Sequence, residues 1–321
     1  MRRSNSVLAL WMMACLCLAG CTVENTNSTS TGGEAGGDGD KTIQIDGSST
    51  VFPISQAVAE EFMKANSDVV VTVGVKGTGG GFKRFIRGET DINDASRPIK
   101  NEEKAELEQA GIEFIELKVA IDGLSVIVNP ENDWCDAITT DQLKAIWAPG
   151  SEVKTWKQVN DTWPDETIKL YGPDTDSGTF DYFTEAINGE EGASRTDYTP
   201  SADDNILVRG VSGDKYSLGY FGYAYYIENK DKLKVLAVAD GSDPATAVAP
   251  TAETIESGQY TPLSRPLFLY VRIDSLQKPH VARFLEYYLN EGQALVNEVG
   301  YVQLGESELQ NSKQKVADAI K

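Results

Sequence analysis

The chain has 321 residues, 40% of them hydrophobic and 24% charged, which is enough apolar material for two ordinary domains and too much for a disordered chain. Its 29 basic residues stand against 49 acidic ones, a net charge of −20, so it offers no basic face to a nucleic acid. Its long-range field would not draw in anions either, and any anion it binds must be held by local geometry.

Arg2 and Arg3 are followed by an apolar run, Val7 to Ala19, that ends in Leu18-Ala19-Gly20-Cys21. A basic start, a short apolar stretch and small residues predict a secretory leader over 1–20. The run is too short for a comfortable membrane span. Its ending resembles a bacterial lipobox, which implies that Cys21 is lipidated and becomes the first mature residue. The protein would then sit outside the cytoplasmic membrane, anchored by lipid. Cys15 and Cys17 would leave with the leader, so Cys135 is left without a disulfide partner and is expected to pack as a small apolar side chain. Residues 21–40, rich in Thr, Asn, Ser, Gly, Glu and Asp, predict a flexible tether.

Order is expected from Lys41. Thr42 to Asp46 alternates as a strand does, and Gly47-Ser48-Ser49-Thr50 breaks it. Ile54, Ala57, Val58 and Phe62 then share a helical face, with Pro53 in the first turn, where proline is tolerated. Val69 to Val75 predicts a buried strand. Gly77-Thr78-Gly79-Gly80-Gly81 leads into a short helix with Phe82, Phe85 and Ile86. Asp91 to Ser96 predicts a strand end and Arg97-Pro98 a turn, followed by a helix over Asn101 to Ala110 and a strand over Ile112 to Leu117. Val119 to Val128 predicts another strand, with Asp122-Gly123 inside it. Thr140 to Trp147 and Gly178 to Ile187 follow as helices, then Pro266 to Ile273 as a strand and 276–289, 292–298 and 307–320 as helices. The alternation argues for an α/β fold with a largely parallel sheet. We expect two lobes, 41–118 with 263–321 and 119–262, joined by two crossings that form a hinge with a ligand cleft between them.

Three loops share one design. Gly47 to Thr50, Gly77 to Gly81 and Asp174-Thr175-Asp176-Ser177-Gly178-Thr179 each put hydroxyls and glycines at a helix start. Free N–H groups and the positive end of the helix dipole point outward there. Glycine lets the backbone approach a ligand, and such ends bind small oxyanions without net positive charge. Any one loop alone is better read as an ordinary cap or turn. Three at one sheet edge favour a site, because open α/β sheets bind ligands beyond the strand carboxyl ends. Arg97 adds a guanidinium fork that suits two oxygens of a tetrahedral anion. Hydrogen phosphate carries a proton where sulfate has none, so a carboxylate acceptor would separate the two. Asp174 and Asp176 are the nearest candidates, with Asp46 and Asp94 as further ones.

Asp46-Gly47-Ser48-Ser49-Thr50-Val51-Phe52-Pro53-Ile54, Gly77-Thr78-Gly79-Gly80-Gly81-Phe82, Ala95-Ser96-Arg97-Pro98-Ile99 and Asp176-Ser177-Gly178-Thr179-Phe180 together resemble the phosphate-binding subunit of the phosphate-specific ABC importer, in order and from about residue 42 to the C-terminus. The resemblance implies a type II periplasmic-binding-protein fold that closes on one anion. It implies contacts from Ser49, Thr50, the backbone N–H of Val51, Thr78, Ser96, Arg97, Ser177, Gly178 and Thr179. It implies inorganic phosphate and membrane permease subunits as partners, with no catalysis, cofactor or metal, and a monomer. Some members of that family carry an arginine at the start of the Ser-Gly-Thr loop; this chain has Gly172-Pro173-Asp174 there, and Arg97 is expected to supply the guanidinium instead.

Sulfate, molybdate or tungstate could occupy the same fold. A phosphatase would depend on His280, the one histidine, in a helix far in sequence from the loops. Trp134, Trp147, Trp156 and Trp163, with Tyr220, Tyr223, Tyr225 and Tyr226, could mark an adhesive surface, but core packing explains them better.

Overall fold

A computed structural model describes residues 41–321; the leader, the tether and the lipidation expected at Cys21 lie outside the described residues. The first three strands, β1 (Thr42–Gly47), β2 (Val70–Val73) and β3 (Ile92–Ala95), are separated by helices α1 (Phe52–Ala65) and α2 (Thr78–Ile86). Helix α3 (Asn101–Gln109) leads into β4 (Phe114–Val128). Then come β5 (Ala137–Thr139), β6 (Lys169–Pro173), β7 (Thr199–Ser201), β8 (Ser217–Gly222), β9 (Lys234–Val235), β10 (Ala237–Ala239) and β11 (Ser264–Arg272). The main sheet runs β2-β1-β3-β11-β4-β8-β6-β7, with β9 also on β4, and β5 pairs β10 separately.

The sheet is mixed, which corrects the largely parallel one expected. At one end β1 pairs β2 and β3 in parallel, and at the other β6 pairs β7 and β8 in parallel. Between them β11 is antiparallel to both β3 and β4, and β4 is antiparallel to β8. The reason is topological: the chain leaves the first half on β4 and returns on β11, so these neighbours run opposite ways. The two strands expected over 112–117 and 119–128 are one strand of 15 residues. Its first part, Phe114 to Gly123, pairs β11, and its last part, Leu124 to Val128, pairs β8.

Two large cores flank this seam. One takes Ile43, Val58, Phe62, Leu117 and Ala120, and then Leu267, Phe284 and Tyr288 from the end of the chain. The other takes Leu124, Trp147, Trp156, Phe183 and Tyr220. Phe183 stacks on Tyr220 at 3.7 Å between ring centroids, and Trp147 meets Tyr220 edge-on at 5.0 Å. The tryptophan cluster is thus largely core, as burial of large apolar area demands. Cys135 is buried and free, its thiol pushed up to about 12 by desolvation. Strand β2 differs from expectation: it is the outermost strand, so Val70 is 54% exposed. The helix expected over 276–289 is two, Ile273–Leu276 and Pro279–Leu289, because proline at the start of the second cannot continue the first. No helix among the described residues is long and apolar enough to cross a membrane.

Candidate functional site

Two of the three loops leave the carboxyl ends of parallel strands β1 and β2. Gly47, the last residue of β1, has φ 146°, and a β-carbon there would lie 2.1 Å from the carbonyl oxygen of Asp94. Only glycine allows the strands to stay this close. The N–H of Ser48 donates to that same carbonyl at 3.0 Å. The Ser48 hydroxyl then accepts from Thr50 N–H at 3.1 Å, which folds the loop onto the start of α1. No acceptor among the described residues meets the N–H of Ser49 or of Val51. The Val51 side chain is buried in the core, so only its backbone can serve the cleft.

In the second loop Gly77 has φ 73° and precedes Thr78, the first residue of α2. Thr78 Oγ1 accepts from the N–H of Ser96 at 3.2 Å and lies 3.2 Å from the Ser96 hydroxyl. This ties the second loop to the end of β3. The third loop caps the helix Gly178–Phe183: Ser177 Oγ accepts from Thr179 N–H at 3.2 Å. A β-carbon at Gly178 would be 2.8 Å from Thr50 Oγ1 and 3.0 Å from Thr50 Cα, so the third loop packs directly on the first.

These contacts enclose a cleft of about 400 Å³. Its floor and near wall are Ser48, Ser49, Thr50, Thr78, Ser96 and Arg97, with Gly77, Gly79 and Gly80. Lys76 and Lys100 stand at its edge, and Asp181, Tyr182, Glu185, Glu191 and Arg265 close the far wall. A somewhat larger cavity, about 650 Å³, opens beside Lys118 and Glu253; it shares Arg265 with the cleft and holds none of the loop residues.

Of the residues singled out in the sequence, Ser49, Thr50, Thr78, Ser96 and Arg97 line the cleft; Val51, Ser177, Gly178 and Thr179 are not among its lining residues, although Gly178 packs on Thr50, which is. Asp174 and Asp176 do not line it; Asp174 Oδ1 accepts from Asp176 N–H at 3.2 Å within their own turn. Asp46 is buried beneath the first loop, paired with Arg84 and accepting from Gly47 N–H at 2.8 Å. Asp94 is wholly buried, and neither of its carboxyl oxygens has a hydrogen-bond partner among the described residues. Desolvation pushes it up to about 8; the Ser55 hydroxyl, outside bonding geometry, opposes this, and repulsion from Asp46 adds to it.

Arg97 is not free to open its fork. Its Nη1 and Nη2 donate to Glu103 at 2.9 and 2.7 Å, and Nη1 also donates to the Pro98 carbonyl at 3.1 Å. Glu103 belongs to the first turn of α3, and it also accepts from Lys100 N–H at 2.9 Å.

The PBP superfamily domain model matches residues 32–291. The chain belongs to the PBP, or periplasmic-binding-protein, superfamily. It is 51% identical to Protein SphX of Synechococcus elongatus over 264 residues, 82% of this chain and 77% of that one. It is 42% identical to the phosphate-binding protein PstS of Staphylococcus saprophyticus over 293 residues, 90% of this chain and 89% of that one. A crystal structure of a possible phosphate binding protein from Planctomyces limnophilus superposes with a TM-score of 0.84 at 53% identity, covering 87% of this chain and 99% of that one.

The fold is therefore that of this superfamily, and its cleft holds residues that sequence reasoning missed. Arg265 is the chief of them. It stands at the start of β11, ahead of the apolar run that gave the strand away, and its partner Asp122 was the available signal: a carboxylate within the buried stretch of a largely apolar strand needs a cation. Asp181 was hidden because Phe180, Phe183 and Ile187 define the apolar face around it. Its carboxyl, half-buried and without a hydrogen bond among the described residues, is raised to about 6 by desolvation first and repulsion from Glu191 next, with Arg265 opposing.

Proposed function

We infer that the protein captures inorganic phosphate in this cleft, outside the cytoplasmic membrane, and delivers it to the permease subunits of an ABC importer. The observation that carries the reading is the convergence of hydroxyls and unpaired loop N–H groups on one small cleft in a strongly acidic chain. Relatives named phosphate-binding proteins over most of their length support it. Ser49, Thr50, the Val51 N–H, Thr78, Ser96 and the Ser177-Gly178-Thr179 loop are the contacts we assign, with Arg97 held alongside by Glu103. Residues 41–118 with 263–321 and residues 119–262 would move as two lobes about β4 and β11, with one protein molecule binding one anion. The PstS relative is named a phosphate-binding protein, not an enzyme. Calorimetric titration of refolded, ligand-stripped protein tests the reading: tight one-to-one phosphate binding supports it, and silence toward phosphate sinks it.

The acceptor for the phosphate proton is assigned to Asp181 rather than to Asp174 or Asp176, because it alone of the three faces the cleft. Asp181→Asn is expected to narrow the preference for phosphate over sulfate at least about tenfold, the scale of one mismatched buried hydrogen bond. The same preference should fade in the unaltered protein as pH falls below about 6, where this carboxylate takes up its own proton. Competition titrations at pH 5 and 8 check both; an unchanged sulfate ratio in the Asn variant would remove Asp181 from the role.

Attachment through Cys21 is part of the same reading. Cys21→Ser is expected to leave the protein in the soluble extract of cells in which the parent fractionates with membranes, and equal partition of the two would refute it.

A further inference from the structure

Arg265 has more partners than its place in a strand requires. It lies in register opposite Asp122 of β4, and its side chain is 14% exposed. Its Nε stands 3.4 Å from Asp122 Oδ2, and its Nη2 donates to Thr50 Oγ1 at 3.1 Å. Its guanidinium lies 3.7 Å above the centroid of the Tyr182 ring. The remaining nitrogen, Nη1, is 3.7 Å from Glu185 Oε2, an ion pair too long for a hydrogen bond. One guanidinium thus touches the first loop, the crossing strand and the helix that follows the third loop.

The two carboxylates are not equivalent. Asp122 is buried, and its loss would strand a cation in the protein interior. The Glu185 side chain is 56% exposed, and ion pairs of that kind are weak and exchange readily. Arg97, by contrast, is committed to Glu103 through two short bonds.

We propose that Arg265 is the guanidinium that contacts the bound anion, and that Glu185 is its tethered stand-in, holding Nη1 until an oxyanion takes that donor. The proposal rests on the phosphate reading above and names the cation within it. On exchange, Glu185 turns into solvent, where its charge is hydrated. The anion gains Nη1 and the Thr50 hydroxyl together, because Nη2 already holds Thr50 in place. Arg265 cannot follow the ligand outward, since Asp122 and the Tyr182 ring fix the other side of its plane. The anion is therefore drawn to the seam between the two cores and not to the mouth of the cleft.

The test is calorimetric titration of the full chain with inorganic phosphate, in a double-mutant cycle. Glu185→Gln is expected to bind phosphate about threefold more tightly, since it removes a competitor worth no more than an exposed ion pair. Arg265→Gln is expected to weaken binding at least about a hundredfold. In the Arg265→Gln background, Glu185→Gln should then change nothing. Arg265→Lys keeps a cation opposite Asp122, so it guards against mere misfolding, and the loss of its planar fork should still weaken binding about tenfold. Equal tightening by Glu185→Gln in both backgrounds would overturn the proposal, because it would then be bulk charge. Unchanged or weaker binding by Glu185→Gln alone would overturn it too. If the parent chain failed to bind phosphate, the functional reading itself would fall; phosphate binding without the Glu185 effect would overturn the proposal and leave that reading standing.

Discussion

Gly47→Ala is expected to destabilise the protein by about 3 kcal/mol or more, the sum of a backbone conformation that non-glycine residues rarely hold and a direct clash. The clash cannot be relieved by a rotamer, because the new methyl would meet the Asp94 carbonyl at 2.1 Å and the Asp94 backbone nitrogen at 2.9 Å. Gly47 and Asp94 are paired in the β1–β3 ladder, so relief means parting those strands where the first loop departs. The Ser48 N–H would lose its hold on the same carbonyl. A drop in Tm on the order of 10 °C follows for a domain of this size, with weaker anion binding at temperatures where the variant is still folded. Thermal unfolding with and without phosphate is the measurement, and a shift below about 2 °C would show that the strands yield more easily than their packing suggests.

Asp94→Asn should stabilise the protein, and only above a definite pH. The carboxyl is wholly buried and raised from 3.8 to about 8. A raised acid keeps its proton in the fold after the unfolded chain has lost it. Its contribution to stability is therefore full below about pH 4, falls between about 4 and 8 as the unfolded form ionises and the folded form does not, and is flat beyond. Other carboxylates move with pH as well: Asp204 and Asp181 are each raised to about 6, and Asp91 is lowered. The difference between variant and parent isolates Asp94. That difference should grow by several kcal/mol in favour of the asparagine variant from pH 4 to pH 8 and then level off. Paired unfolding curves across this range provide the check, and a flat difference would mean that the carboxyl finds a donor in solution.

Much of the cleft was legible because glycine and hydroxyl runs at strand ends have few other uses when several occur together. Ser49, Thr50, Thr78, Ser96 and Arg97 all line it. What sequence spacing cannot say is which direction a charged side chain takes. Arg97 sits at the expected turn, yet it turns to Glu103, three residues into a helix whose start was predicted and whose capping partner was not. Asp174 and Asp176 stand just ahead of the Ser-Gly-Thr motif along the chain, whereas Asp181, five residues beyond Asp176, is the one that lines the cleft. Arg265 was beyond reach for a different reason: its partners lie 143 and 215 residues away, at Asp122 and Thr50. Strand positions were read well where apolar runs were unbroken, and β4 was cut in two only because Lys118 interrupts the run at the point where its register with β11 shifts.

The sharing of one core between both ends of the chain has a consequence for how the protein is made. Ile43, Phe62 and Ala120 are synthesised early, but the Leu267, Phe284, Tyr288 and Val316 they pack on come last. The other core draws mainly on residues 121–263, with only Val302, Leu304 and Leu309 joining it late. A chain growing from its N-terminus can therefore close the middle of the molecule first, while β1, β2 and β3 wait for the apolar partners that come last. The loops after β1 and β2 and the guanidinium of Arg265 come together only when the waiting part is sealed. The cleft is the final thing to take shape, and a ligand in the surroundings can reward only a finished chain.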